Sequence, residues 1–174
     1  MLIQAGGFMN NDIRKVLIIS DSHGVTENLT QAMELEKPDM IVHLGDICGD
    51  EPEVEGYCGA VKPFVLIRGN CDYVSAMTTP TAVFTLGKHK IFAAHGHMQK
   101  VDFGLNNLYY SAKENGCDIA MYGHTHVPFD ETFDDVRILN PGSVSRPRGG
   151  SDKGYMIMTL DADGDIKEIV RKSL

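Results

Sequence analysis

The stretch KVLIISDSH (Lys15–His23) decides the fold, because a short apolar run leads directly into an aspartate and a histidine. The run is continuous and rich in β-branched residues, which is typical of a strand buried on both faces. A helix is predicted to follow, with Thr26 as its N-cap and Pro38 at its end. Two further buried strands, Met40–Leu44 and Phe64–Ile67, are separated by an irregular segment. This order of elements predicts a parallel sheet.

The second half of the chain has a different order of predicted elements, because most of its apolar runs are joined by tight turns. A helix over Leu105–Asn115, ended by Gly116, and a strand over Asp118–Tyr122 are predicted there. Three hairpins are predicted at residues 81–94, 128–140 and 155–170. This is more strand than one parallel sheet needs, so the predicted fold class is α/β, with two packed mixed β-sheets flanked by helices.

The composition of the 174-residue chain is that of an ordinary globular domain, with 43% hydrophobic and 23% charged residues. The net charge of −8 argues against a protein that holds nucleic acid on a broad basic surface. The four cysteines match no redox or zinc-finger spacing, and no secretion signal or membrane-spanning run is visible. We therefore expect reduced thiols, a cytoplasmic location and no membrane partner.

Loops with metal-ligating side chains follow nearly every buried strand. Ligands of open α/β sheets bind at the carboxyl ends of the strands, and carboxylate, imidazole and amide oxygen together suit manganese, zinc, iron or cobalt. Each loop alone has an ordinary explanation, since Asp21 would also cap a helix and Asn70 would also form a turn. Their joint occurrence predicts a metal site, whose candidate residues are Asp21, His23, Asp46, Asn70, His95, His97, His124 and His126.

Two histidines fall outside these loops. His43 lies inside the second buried strand, so we expect a core residue that is hydrogen-bonded near the site. His89 follows the turn of the first hairpin, so we expect its ring to be exposed to solvent.

The ordered set DSH, GD, GNCD, HGH and GHTH resembles the calcineurin-like metallophosphoesterase superfamily and, more closely, its small bacterial and archaeal phosphodiesterases, the YfcE-like group. The resemblance extends from Lys15 to Leu174 and includes the segment Asn140–Ser143. It implies a four-layer α/β/β/α metallophosphoesterase sandwich, with residues 13–174 as a single domain. Residues 1–12 are expected to be a disordered or non-native N-terminal extension.

The resemblance also implies two divalent metal ions, for which we expect Mn²⁺, with Zn²⁺, Ni²⁺, Co²⁺ and Fe²⁺ as alternatives. One ion would be held by Asp21, His23 and His126. The other would be held by Asn70, His95 and His124, and Asp46 would bridge the two. A hydroxide that also bridges the ions would attack phosphorus in line, which agrees with the need of two close cations for a shared anion.

Further positions lie close to these predicted ligands in the sequence or differ from the pattern of the superfamily. Many larger members of the superfamily carry a general-acid histidine where this chain has Cys71, and a thiol cannot do the work of an imidazolium. His97 is expected either beside the substrate or behind the metal ligands. Arg146 and Arg148 are expected to bind a phosphate, the alternative being a solvated loop. Gly49 replaces the tyrosine ligand of purple acid phosphatases, which excludes their iron–tyrosinate centre.

Functional interpretations from different classes stay open. The leading one is a metal-dependent phosphodiesterase that hydrolyses small phosphodiesters. The alternative is a weakly catalytic or non-catalytic scaffold that binds proteins, as implied by the retromer subunit of eukaryotes, a cousin of the YfcE-like group. The intact ligand set favours the enzyme, and Cys71 is the one feature that favours the scaffold. The interpretation as a metal-dependent nuclease is disfavoured by the acidic net charge. Whether the chain forms a homo-oligomer stays open.

Overall fold

The computed structural model describes residues 13–59 and 62–174 and contains two five-stranded sheets. The predicted extension in residues 1–12 lies outside the described residues. The strands are β1 Lys15–Ile19, β2 Met40–His43, β3 Phe64–Leu66, β4 Thr81–Leu86, β5 His89–Ala94, β6 Ile119–Met121, β7 Phe129–Phe133, β8 Val136–Asn140, β9 Gly154–Leu160 and β10 Ile166–Ser173. The helices are α1 Thr26–Glu36, α2 Glu51–Cys58 and α3 Asn106–Glu114.

Both sheets are mixed, as the sequence predicts. The first has the order β10-β9-β1-β2-β3, in which β1, β2 and β3 run parallel and β9 runs antiparallel to β1. The second has the order β4-β5-β6-β8-β7, with β5, β6 and β8 parallel. The three predicted hairpins are confirmed as the antiparallel pairs β4–β5, β7–β8 and β9–β10.

The strand β1 shows how the layers form, because its side chains alternate between two cores. Val16 and Ile18 belong to an apolar cluster that also contains Ile91 of the second sheet, so the two sheets pack face to face. Leu17 packs instead in a cluster with Leu29 of α1, on the opposite face. Helix α3 covers the outer face of the second sheet. The predicted four-layer α/β/β/α architecture is therefore confirmed.

Helix α2 is the element that the sequence reading missed, since it occupies the segment predicted to be irregular. It contains Pro52 at its start and Gly56 inside, and only Val54 and Cys58 are buried. A helix this short with a glycine inside has little intrinsic stability, so packing against the first sheet decides its conformation. Within the described ranges no helix is both long and apolar enough to cross a membrane.

Two local predictions are wrong in an informative way. Thr26 is the first residue of α1 rather than its N-cap, and its hydroxyl donates to Asp50 Oδ1 at 2.7 Å. His89 is not freely exposed, because its Nδ1 lies 2.6 Å from Asp118 Oδ2 and its side chain is 26% accessible. In both cases a polar partner more than twenty residues away captures the side chain.

The carboxylate of Glu36 is buried at the end of α1 and joins the helix to the first sheet. It accepts hydrogen bonds from the Tyr155 hydroxyl and the Lys172 ammonium, each at 2.8 Å. Burial raises the pKa of Glu36, but the bonds from Lys172 and Tyr155 outweigh burial and hold the pKa below its ordinary value of 4.5. The resulting stabilisation is present above that ordinary pKa and is lost as the pH falls through the lowered pKa.

Glu36→Gln is expected to lower the free energy of unfolding by about 1–3 kcal/mol near neutral pH, because it removes the charge that strengthens both bonds. The difference from the original protein should be smaller at an acidic pH well below the ordinary carboxyl pKa of 4.5, where the carboxylate takes up a proton. Urea denaturation at both pH values measures this. Glu34→Gln, on the exposed side of the same helical turn, is the matched control. A Glu36→Gln effect that does not change with pH would contradict this role.

Candidate metal centre

The loops that follow five strands, β1, β2, β3, β5 and β6, meet at one edge of the sandwich. They come from both sheets, and they bring the seven predicted metal ligands into one cluster: Asp21, His23, Asp46, Asn70, His95, His124 and His126. That these residues hold metal stays a prediction, whose fit with the geometry is tested below.

One half of the cluster is built from Asp21, His23 and His126. The Nε2 atom of His126 lies 3.1 Å from Asp21 Oδ1 and 3.3 Å from His23 Nε2. The other ring nitrogen of His126 donates to the Arg146 carbonyl at 2.5 Å, so Nε2 is the nitrogen that keeps its lone pair. Three ligand atoms therefore converge within 4.8 Å of one another.

The other half contains His95 and Asn70. His95 Nδ1 donates to the Leu44 carbonyl at 2.7 Å, which leaves Nε2 as the nitrogen with a lone pair. That atom lies 3.1 Å from Asn70 Oδ1. The ring of His124 is a direct neighbour, with its centroid 5.1 Å from that of His95. Imidazole and amide oxygen thus face each other here without a proton between them.

Asp46 lies between the two halves. Its Oδ2 atom is 3.8 Å from His23 Nε2, and its Oδ1 atom is 3.5 Å from His95 Nε2. Oδ1 also accepts the backbone N–H of Cys71 at 2.8 Å, which fixes the plane of the carboxylate. Each carboxylate oxygen is therefore directed at a histidine of a different half.

The carboxylate of Asp21 gives the strongest indication of a cation. Oδ2 accepts hydrogen bonds from the Ser20 hydroxyl at 2.6 Å and from the His124 N–H at 3.1 Å. Oδ1 is buried and has no hydrogen bond among the residues that the structure describes. Burial raises the pKa of Asp21, but the contacts of the carboxylate with the surrounding imidazoles and with the Ser20 hydroxyl outweigh burial and lower the pKa. A buried anion with a free oxygen among imidazole nitrogens fits a divalent metal ion.

The backbone is strained at the same positions. Non-glycine residues seldom adopt a positive φ, and such conformations persist where the surrounding structure enforces them. Five of the seven predicted ligands have one: Asp21 at 56°, His23 at 50°, Asp46 at 53°, His124 at 67° and His126 at 60°. Strain concentrated on the ligands indicates that these loops are shaped for a function.

Two glycines permit the close approach of these loops. A Cβ atom on Gly69 would lie 2.1 Å from Asp46 Oδ1, and a Cβ atom on Gly123 would lie 2.0 Å from Ser20 Oγ. Neither position tolerates a side chain, because the neighbouring atoms hold the two buried carboxylates in place. Glycine is therefore required at both positions for the loops to approach each other this closely.

His43 occupies the place that the sequence predicts, in the core beside the cluster. It is fully buried, its Nδ1 accepts the Gly45 N–H at 3.2 Å, and its Nε2 donates to the Ser22 hydroxyl at 3.1 Å. Burial lowers the pKa of His43 to about 4, so the ring stays neutral near pH 7. It therefore supports the loop after β1 as a neutral hydrogen-bonding group.

His97 and Cys71 border the cluster. The His97 ring centroid is 5.4 Å from that of His95, and its buried Nδ1 has no hydrogen-bond partner within the described part of the chain. Cys71 Sγ accepts a hydrogen bond from Asn70 Nδ2 at 3.3 Å and lies within 4.8 Å of ligand atoms of His23 and Asp46. Burial and the Asp46 carboxylate raise the pKa of Cys71 to about 11, so the thiol is neutral near pH 7.

The segment that contains Arg146 and Arg148 is bonded to the same cluster. The Arg146 carbonyl accepts the bond from His126, and the Arg148 N–H donates to the His126 carbonyl at 3.1 Å. Both side chains are exposed. Burial lowers the pKa of His23, the carboxylates of Asp46 and Asp21 oppose that effect, and the charge of Arg146 adds to the lowering.

Two aspartates with structural contacts to the cluster escaped the sequence reading. Asp72 accepts the Cys48 N–H at 2.8 Å and the Gly69 N–H at 2.7 Å, so it ties the loop after β2 to the loop after β3. Asp72 directly follows Cys71 in a loop that carries a predicted ligand, and this position could have indicated that it contacts the cluster. Asp102 lies 2.8 Å from His124 Nε2, and nothing in the local sequence indicates this contact.

Comparison with known proteins was made at the levels of family, sequence and fold. A family model described as the calcineurin-like phosphoesterase superfamily domain matches residues 15–163. The chain is 36% identical over 150 residues to the probable metallophosphoesterase YsnB of Bacillus subtilis, which covers 85% of each chain. It is 32% identical over 178 residues to the phosphodiesterase YfcE of Escherichia coli K12, which covers 90% of this chain and 91% of the relative.

Solved structures show the same fold. A predicted phosphoesterase from Streptococcus pneumoniae TIGR4 matches with a TM-score of 0.72 and 28% identity, over 92% of this chain and 98% of the other. Vacuolar protein sorting 29 from Cryptosporidium parvum matches with a TM-score of 0.73 and 20% identity, over 93% and 99% of the two chains. The second likeness concerns the fold alone.

Gly69→Ala is expected to remove most bound metal, because the added methyl group would displace the Asp46 carboxylate. Metal content per chain after equilibration with Mn²⁺ and removal of excess ion measures the effect. Gly56→Ala in α2 is the control, since a Cβ there meets no described atom within 4 Å and alanine favours a helix. Full metal content in a folded Gly69→Ala protein would show that the Asp46 geometry is not required.

Proposed function

The chain belongs to the calcineurin-like phosphoesterase superfamily, and we propose that it hydrolyses small phosphodiesters with two divalent metal ions held by the cluster. It is a metal-dependent phosphoesterase. The observation that carries the proposal is the position of Asp46, whose two oxygens are directed at histidines of different halves. A carboxylate so placed suits two cations a few ångströms apart, which need an anion between them.

The proposed ligand sets follow the two halves. The first ion takes Asp21, His23 and His126, and the second takes Asn70, His95 and His124, with Asp46 shared. Manganese is the proposed metal, because the set mixes oxygen and nitrogen donors. Bound there, the ions would lower the pKa of water and so supply the nucleophile for in-line attack on phosphorus.

The residues around the cluster have the chemistry to orient a phosphodiester. Arg146 and Arg148 are proposed to bind its charged oxygens, since their segment is bonded to His126 and their side chains are free to reach outward. They supply local positive charge to a chain whose net charge is −8. His97 is proposed to contact the substrate, because its partly exposed ring lies beside the ring of His95.

Cys71 determines which diesters are good substrates. It stands at the edge of the cluster as a neutral thiol, which donates hydrogen bonds weakly. A departing oxygen would therefore receive little help from a general acid at this position. Esters of acidic alcohols or phenols, whose oxygens leave without protonation, are the proposed substrate class.

A protein-binding scaffold is the second candidate. The feature in its favour is Cys71, which replaces a group that the chemistry would use. Against it stand the complete ligand set and the buried Asp21 oxygen without a hydrogen bond among the described residues, because neither would be needed in a passive scaffold. Metal-dependent turnover of an activated diester separates the two candidates.

We further propose a single domain over residues 13–174 and, from four free cysteines, a cytoplasmic location.

Asp46→Asn is expected to reduce hydrolysis of bis-p-nitrophenyl phosphate more than His126→Asn does, because the amide removes the charge shared by both ions. Metal content should fall from about two ions per chain toward one or none. The measurements are steady-state rates with added Mn²⁺ and metal analysis of the same samples. An Asp46→Asn protein that binds both ions and turns over normally would exclude the bridging role.

Cys71→His is expected to increase turnover, and most for poor leaving groups, because it places an imidazole with an unperturbed pKa of ~6.5 beside the site. General acid catalysis is typically worth about 10²–10⁴-fold when the geometry is good. Rates for aryl and alkyl diesters across a series of leaving-group pKa values measure the effect. Cys71→Ala is the control and should change little. Complete loss of activity in that control, with metal retained, would assign the thiol a direct chemical role.

A further inference from the structure

An aspartate outside the predicted site contacts one of the ligands. Asp102 lies in a short 3-10 helix, Val101–Phe103, in the connection between β5 and β6. Its Oδ2 atom is 2.8 Å from Nε2 of His124, which is within hydrogen-bond distance. The Asp102 side chain is 52% exposed, so its charge costs little to keep near solvent.

This contact decides which nitrogen of His124 can serve as a ligand. A carboxylate only accepts hydrogen bonds, so Nε2 carries the proton and Nδ1 keeps its lone pair. His95 and His126 have the opposite arrangement, because each donates from Nδ1 to a backbone carbonyl and keeps the lone pair on Nε2. Among His95, His124 and His126, His124 is therefore the one whose tautomer depends on a side chain.

The structure holds both members of this pair in place. Val101 is buried, and its N–H donates to the Gly96 carbonyl at 3.3 Å, directly beside His95. The short helix is thus tied to the loop after β5. His124 is fixed from the other direction, since its backbone N–H donates to Asp21 Oδ2 and its φ is 67°. The ring and the carboxylate therefore meet because two ligand loops carry them.

We propose that Asp102 is a positioning residue for the second metal ion: its carboxylate holds His124 as the Nε2–H tautomer and turns Nδ1 toward the ion. This inference rests on the proposed function, because it assumes that His124 is a ligand. Carboxylates that accept a hydrogen bond from the N–H of a ligating imidazole orient the ring and increase its basicity, and their loss typically weakens metal binding about 10–100-fold.

The chain offers a matched control in a second aspartate–histidine pair. Asp118 Oδ2 lies 2.6 Å from His89 Nδ1, which is also a carboxylate–imidazole contact, but at the other ring nitrogen and outside the cluster. Asp118 also accepts the Lys90 N–H, so its substitution tests what loss of a structural carboxylate does by itself. A change that appears with Asp102 and is missing with Asp118 belongs to the metal site.

The first measurement is made on the metal-free protein. Nitrogen-15 chemical shifts of the histidine side chains distinguish the two tautomers, and we expect His124 as Nε2–H in the original protein. In Asp102→Ala the signal should shift toward a mixture of tautomers. In Asp118→Ala the His124 signal should stay unchanged. A His124 ring that is protonated on Nδ1 in the original protein would overturn the proposal.

The second measurement is Mn²⁺ binding by titration calorimetry. Asp102→Ala should weaken one of two binding steps about 10–100-fold and leave the other unchanged. Asp102→Asn keeps an acceptor oxygen without the charge, so its Mn²⁺ affinity at that step should lie between those of the original protein and Asp102→Ala. Asp118→Ala should bind Mn²⁺ as the original protein does. Thermal melting of each variant confirms that the fold is retained.

The outcomes separate this inference from the proposed function. If the original protein binds two ions and cleaves diesters while Asp102→Ala binds both ions equally well, the positioning role is wrong and the function stands. If the original protein binds fewer than two ions, the proposed two-ion function fails and the positioning role fails with it. A selective loss at one ion, graded from Asp102→Asn to Asp102→Ala, supports the inference.

Discussion

The burial of two carboxylates at one edge of the sandwich is the constraint on which the rest of this structure depends. Asp21 and Asp46 are almost inaccessible to solvent, and a buried charge is costly unless opposite charge or hydrogen bonds offset it. Three imidazoles, those of His23, His95 and His126, lie within 4 Å of these two carboxylates. Because each carboxylate needs neighbours from other loops, the loops form one electrostatic unit.

The same constraint explains why the loops adopt strained conformations. A positive φ on Asp21 and Asp46 costs free energy that a loop in isolation would avoid. Backbone bonds between the loops offset that cost, since the Asp21 N–H donates to the Gly45 carbonyl and the His23 N–H donates to the Asp46 carbonyl. The apolar cluster between the sheets holds the strand ends in register behind them. The geometry of the site is therefore linked to the stability of the core.

Particular elements show where sequence reasoning succeeds and where it stops. The strand Lys15–Ile19 is marked by a continuous apolar run, and its burial on both faces confirms the prediction. The sequence of helix α2 has no comparable apolar pattern, because only two of its residues are buried. Pro52 and Gly56 also argue against a helix in that segment. His89 and Thr26 were misjudged since their partners, Asp118 and Asp50, are distant in sequence.

The sequence by itself determined the fold class and the candidate ligands, because both depend on local features: apolar runs define the strands, and ligands placed directly after the parallel strands of a sheet meet at one edge of that sheet. The tertiary structure alone decided how these ligands are oriented. The contact of Asp102 with His124 and the bond from His126 to the Arg146 carbonyl join residues far apart in the chain. The Asp21 oxygen that has no hydrogen bond among the described residues depends on burial. Such contacts are set by the packing of the two sheets, which no local pattern encodes.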